Sequence, residues 1–307
     1  MYKFLIKYHK LTLTLVKIII SFLAVYYLWL HRYLQNLWRD SGEFHSLGFV
    51  SGLLVFSLIN WLLEIKKWQF LVGYIQPVSY KEAARQSLIS FALSLLTPNR
   101  VGEYGVKILF YKKKDYKNVL GLTFIGNISQ LMITLLAGLL GLWYVYFAGM
   151  IDNFIHIGNF AHHGRKFFLL LTPGLLIISI MLYLFKKYRQ TLAFQPGLWI
   201  KSNMYALFRY LVFSSQFVWL LKYFNVESKL LTLYAAVSLV YLFATLIPML
   251  SLFDWAVKGD IAIWIFTAIG INGVLVFKVV AMMWFGNFLL SFLTGLIWMW
   301  ASKTYVR

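Results

Sequence analysis

Apolar runs long enough to cross a bilayer alternate with short polar flanks along almost the whole chain. A helix needs about 20 consecutive apolar residues to cross the hydrocarbon core. Six stretches qualify as full spans: about 11–30, 46–64, 118–147, 167–185, 205–221 and 272–300. The run at 11–30 is longer than the ~7–15 apolar residues of a signal peptide. It ends in bulky YYLWL without a small-residue cleavage site, so a retained first span is expected. Two further apolar stretches are interrupted, 81–111 at TPNRVGEYG and 230–269 at IPMLSLFDWAVKGD.

The two interruptions resemble each other. Pro98 is followed by Glu103 and Lys107, and Pro248 by Asp254 and Lys258, with the lysine four residues after the acid in both. The prolines stand 150 residues apart, about half the chain. Before the first break, Ser87, Ser90, Ser94 and Thr97 fall on one helical face; before the second, Ser238, Tyr241 and Thr245 are a looser echo. The pattern predicts an all-α polytopic membrane protein, a single integral membrane domain with repeat halves at about 1–150 and 160–307. About six full transmembrane spans and two re-entrant broken-helix hairpins form an inverted repeat, because three crossings separate equivalent spans. The alternative is seven or eight spans, with 230–247 crossing the bilayer.

Charge fits this layout. With the N-terminus inside, most lysines and arginines fall on inside flanks, including Lys66, Lys67 and the 112–117 cluster. That is the positive-inside bias expected of a plasma (inner) membrane protein with both termini cytoplasmic. Lys17 and Arg209, inside spans, are read as snorkelling to an interface. The excess of 29 basic over 10 acidic residues lies in short flanks between apolar runs. It therefore points to anionic lipid head groups rather than nucleic acid. Composition agrees: 61% hydrophobic and 13% charged, against roughly 45–50% and 25% in soluble domains. Cysteine is absent, which excludes thiolate chemistry and Cys-ligated metal.

Charges and irregular backbone at membrane depth are costly and mark functional candidates. A helix restarting after Pro98 would offer free N–H groups to an anion, and Arg100 a fork suited to phosphate. Gly102 and Gly105 permit close approach. Glu103/Lys107 and Asp254/Lys258 can pair at i,i+4, either pinning each hairpin or lining a polar cavity between them. Lys278, several residues into the last span, is a further candidate for that cavity. Asn127 and Gln130, on the third span, are read mainly as interhelical hydrogen-bonding residues. His162 and His163 lack the HExxH spacing of a metal site. No catalytic motif and no cofactor or metal site is expected, and the short outer loops leave no room for a soluble catalytic domain.

At TPNRVGEYGVK the chain resembles the transmembrane-domain family of lysylphosphatidylglycerol synthase, also called flippase-like. That family's first motif is close to PGRxGE, here Pro98, Asn99, Arg100, Val101, Gly102, Glu103, with Asn99 replacing a glycine. Its second motif, a proline, a glycine-rich turn and GxRE, is matched loosely by PMLSLFDWAVKGD. There Lys258 stands for the arginine and Asp254 or Asp260 for the acid. The resemblance implies a stand-alone lipid translocator without the synthase domain, moving a charged, aminoacylated or glycosylated phospholipid. Taken with the resemblance, the residues expected to bind the substrate are Pro98, Asn99, Arg100, Gly102, Glu103, Lys107, Asp254, Lys258 and Lys278, of which Lys107 and Lys278 rest on their charge within apolar stretches rather than on the family motifs. The membrane phospholipid would be the substrate, with a homo-oligomer or a separate lipid-modifying enzyme as partner. The competing reading is an accessory subunit or integral-membrane enzyme in lipid or lipid-linked glycan metabolism.

Overall fold

A computed structural model of the chain describes residues 47–95, 97, 100–150, 195–247 and 254–301. The spans expected at 11–30 and 167–185, and Pro98, Asn99 and Pro248, lie outside the described residues. Those described fold into eight α-helices and no strand: α1 Leu47–Val72, α2 Tyr80–Ser94, α3 Gly102–Ile108, α4 Tyr116–Phe147, α5 Pro196–Tyr223, α6 Leu230–Leu246, α7 Asp254–Ala268 and α8 Gly273–Ala301. A short 3-10 turn, Lys113–Asp115, leads into α4. Four helices, α1, α4, α5 and α8, are long and apolar enough to cross a membrane, and α6 is a shorter apolar helix.

Met1–Ser51 and Gly52–Arg307 form two compact units. Of the first, the opening turn of α1 is described, where Ser51 Oγ donates to the Gly48 carbonyl at 3.1 Å. The second unit carries the remaining helices. Within it α4 packs on α6 and α5, α8 on α7 and α2, and α6 on α7. Small residues set the closest approaches, as membrane helices require when lipid offers no hydrophobic drive for association. A methyl on Gly141 of α4 would lie 2.9 Å from the Ala235 carbonyl of α6, and one on Gly295 of α8 would meet the Leu88 carbonyl of α2.

Local signals explain the helix starts. Ser79 caps α2 by accepting the Glu82 N–H at 3.2 Å. Asn272 Oδ1 does the same for α8, accepting from Val274 at 2.9 Å and Leu275 at 3.3 Å. Pro196 opens α5, where its missing N–H costs nothing.

Two boundaries differ from expectation. α1 continues past 64 to Val72, through Glu64, Lys66 and Lys67. α5 starts at Pro196 rather than near 205, taking in Lys201, Ser202 and Asn203. In both cases polar side chains made a continuous helix look like its end. Most are satisfied by neighbours or face outward: Glu64 and Lys67 are buried in ion pairs, Lys66 and Lys201 are exposed, and Asn203 Nδ2 donates to the Trp199 carbonyl at 2.8 Å, while Ser202 is buried with its hydroxyl unpartnered.

Candidate functional site: a cationic cavity between the two breaks

The first break is held by its own backbone. Thr97 Oγ1 donates to the Ser94 carbonyl at 2.6 Å and accepts the Gly102 N–H at 2.8 Å. The Glu103 and Tyr104 N–H groups donate to the Arg100 and Val101 carbonyls at 2.9 and 3.1 Å. The opening amides of α3 that were expected to face an anion are thus taken by the loop. Gly102 is needed for the same reason, since a methyl there would lie 2.9 Å from Thr97 and 3.2 Å from Ser94 Cα. Arg100 carries the left-handed backbone of the turn, with φ 59°, an unusual setting for a residue other than glycine.

Glu103 and Lys107 sit behind this loop. Their side chains pair at 2.7 Å and are each only 3% exposed. Lys107 Nζ also stands 3.8 Å from the centroid of the Trp68 ring. Glu103 reaches forward to Arg100 at 3.4 Å. Gln86 Oε1 accepts from Trp68 Nε1 at 2.8 Å and from the Tyr111 hydroxyl at 2.7 Å, tying α2 and the segment after α3 to α1.

A second ionic cluster was not foreseen. Glu64 of α1 pairs with Lys67 at 2.8 Å and with Arg209 of α5. Arg209 Nε donates to Asn60 Oδ1 at 2.8 Å. Asn60 in turn donates to Asn287 of α8 at 2.9 Å, and Asn287 to Gln216 of α5 at 2.7 Å. Lys67 Nζ donates to the Gly126 carbonyl of α4 at 3.3 Å. Arg209 and Lys67 are therefore fixed inside the helix assembly, not snorkelling or serving as flank charges. The sequence held a partial signal: Asn60, Glu64 and Lys67 fall at i, i+4 and i+7, one face of α1.

A cavity of about 570 Å³ opens between these clusters and the second break. It gathers Arg100 from the first break, Arg209 from α5, and Asp254 and Lys258 from α7. Lys258 pairs with Asp254 at 2.6 Å and lies 5.6 Å from the Tyr241 ring centroid. Asn60, Asn287, Thr134 and Gln130 add polar groups. Both amide atoms of Gln130, and Nε of Arg100, are buried without a partner. Much of the remaining wall is aromatic, with Trp61 edge-on to Phe91 at 4.8 Å and Trp284 stacked on Phe288 at 3.9 Å. Arg100 lies over Phe91 at 4.9 Å.

Of the residues singled out from the sequence, the cavity brings together Arg100, Asp254 and Lys258. Gly102, Glu103 and Lys107 lie behind it, and half-buried Lys278 does not line it. Pro98 and Asn99 lie outside the described residues. Gln130, read as a hydrogen-bonding residue between helices, lines the cavity instead, while Asn127 hydrogen-bonds Tyr104. The serine face of α2 is buried away from the cavity, with Ser87 and Ser90 unpartnered and Ser94 bonded to the Phe91 carbonyl at 2.9 Å. Comparison with protein-family models, curated proteins and solved structures finds no match.

Proposed function

We propose that this chain moves a phosphate-bearing lipid across the membrane, with the head group passing through the cavity. One observation carries the reading: cations from both interrupted stretches, Arg100 and Lys258, line the same cavity, with Arg209 between helices. Guanidinium groups suit phosphate geometry, and an aromatic wall suits the apolar neck of a lipid. In this reading the two interrupted stretches are re-entrant hairpins of an inverted repeat, in keeping with the flippase-like resemblance at 98–103. The sequence has no ATP-binding motif, so movement is downhill or coupled to an ion.

Two experiments test it. Translocation of a fluorescent anionic phospholipid is followed in proteoliposomes, where Arg100→Ala and Arg209→Ala should each lower the rate at least tenfold relative to the wild-type chain. Wild-type rates in both variants would sink the assignment. Topology is tested with single cysteines beside Glu103 and Asp254, clean because the chain has none of its own. An impermeant reagent should label the two from opposite sides. Labelling from one side only removes the inverted repeat and favours an accessory or enzymatic role.

A further inference from the structure

The cavity has a charge requirement. The charged groups that line it are Arg100, Arg209, Lys258 and Asp254. Their ion-pair partners extend the set to Glu103 and Lys107 on one side and Glu64 and Lys67 on the other. Among the described residues this closed set holds five cations and three carboxylates, leaving two positive charges. The four lining groups alone, three cations and one carboxylate, leave the same two. Arg100 and Lys258 are 30% and 29% exposed, so solvent screens part of this charge, and what remains draws an anion into the cavity. Two of the buried groups without a hydrogen-bond partner lie on this cavity, Nε of Arg100 and the whole amide of Gln130; others, such as the Ser87 and Ser90 hydroxyls, lie away from it. Buried polar atoms of this kind are normally satisfied.

We infer that the cavity selects a dianionic phosphate head, a phosphate monoester or a diphosphate, over the singly charged phosphodiester of ordinary phospholipids. A phosphate monoester carries about −1.5 to −2 charges at neutral pH, which matches the excess; a phosphodiester covers half of it. Three cations on three separate elements surround such a head from different directions, and bidentate guanidinium contacts suit its oxygens. Gln130 supplies an uncharged donor. Asp254 holds Lys258 in place; with that carboxylate already counted, a singly charged head leaves one positive charge of the excess uncompensated. This inference rests on the head-group reading above and narrows it to one substrate class.

The test uses the purified full chain in nanodiscs of phosphatidylcholine doped with either phosphatidic acid, a lipid phosphate monoester, or phosphatidylglycerol, a phosphodiester. Competition by each lipid for a fluorescent phosphatidic acid probe gives the affinities, and inorganic phosphate is titrated in parallel. Phosphatidic acid should bind at least tenfold more tightly than phosphatidylglycerol. Lys258→Ala should erase most of that preference while retaining binding, and Gln130→Leu should weaken both lipids alike. Displacement by millimolar inorganic phosphate as complete as by the lipid would make the ligand a soluble phosphate and overturn the lipid half of the inference. Equal affinity for the two lipids overturns the dianion selection and leaves the head-group site standing. Binding of neither lipid, with Arg100→Ala indistinguishable from wild type, sinks both.

Discussion

Glu103–Lys107 and Asp254–Lys258 share a spacing and nearly a length, at 2.7 and 2.6 Å. Their surroundings differ. The first pair is 3% exposed at both ends and lies under the aromatic ring of Trp68. The second is 27–29% exposed and faces the cavity. Identical local chemistry therefore serves two ends. A stripped pair holds a backbone loop in place and positions Arg100, while an open pair presents a cation to whatever occupies the cavity. The spacing tells that the pair can form; the packing around it decides whether removing one member costs stability or function.

The largest effect is expected from breaking the buried pair. Glu103→Gln leaves Lys107 as an uncompensated buried charge and should cost about 3–5 kcal/mol, read as a large fall in thermal stability and folded yield. Glu64→Gln strands both Lys67 and Arg209 and should cost about as much. If either variant melts like the wild type, those pairs are not the structural members of the comparison. Thr97→Val removes the cap on the Gly102 amide and should cost about 1 kcal/mol; an unchanged melting temperature would mean the break is held by other bonds. The smallest stability change belongs to the open pair. Asp254→Asn should cost under about 1 kcal/mol, as for solvated ion pairs, and under the proposed function lipid movement should fall several-fold because Lys258 is no longer held. A change in melting as large as that of Glu103→Gln would erase the distinction between the two pairs.

Much of the frame could be read from hydropathy. The spans at 118–147 and 272–300 coincide with α4 and α8 to within two residues, and the two interruptions fall where the helices break. The pairings within each break were also legible, because i and i+4 positions meet on any helix. Three things were not. The length of α1 was hidden because Glu64 and Lys67 resemble a cytoplasmic flank until their partners are known. The partner Arg209 lies 145 residues away, and no local pattern specifies that distance. Occupied amides at the first break depend on Thr97 folding back over Gly102, which proline and glycine spacing does not encode. Lys278 illustrates the converse: a charge in a span is a candidate for a cavity, but its direction around the helix is set by packing against neighbours.

That separation of 145 residues between Glu64 and Arg209 also orders events during synthesis. At about 5–20 residues per second, α1 is complete roughly 7–30 s before Arg209 leaves the ribosome. Throughout that interval Glu64 has Lys67, three residues along the same helix, as its counter-ion. The two short-range pairs are in the same position, each neutral as soon as its own helix forms. Glu64 is therefore paired within α1 before Arg209 is made. Arg209 arrives later without a carboxylate on its own helix α5 and finds one waiting on α1. The Glu64–Arg209 pair can therefore form once α5 has been made, whereas the cavity is complete only after α7 and α8, which carry Asp254, Lys258 and Asn287, have followed.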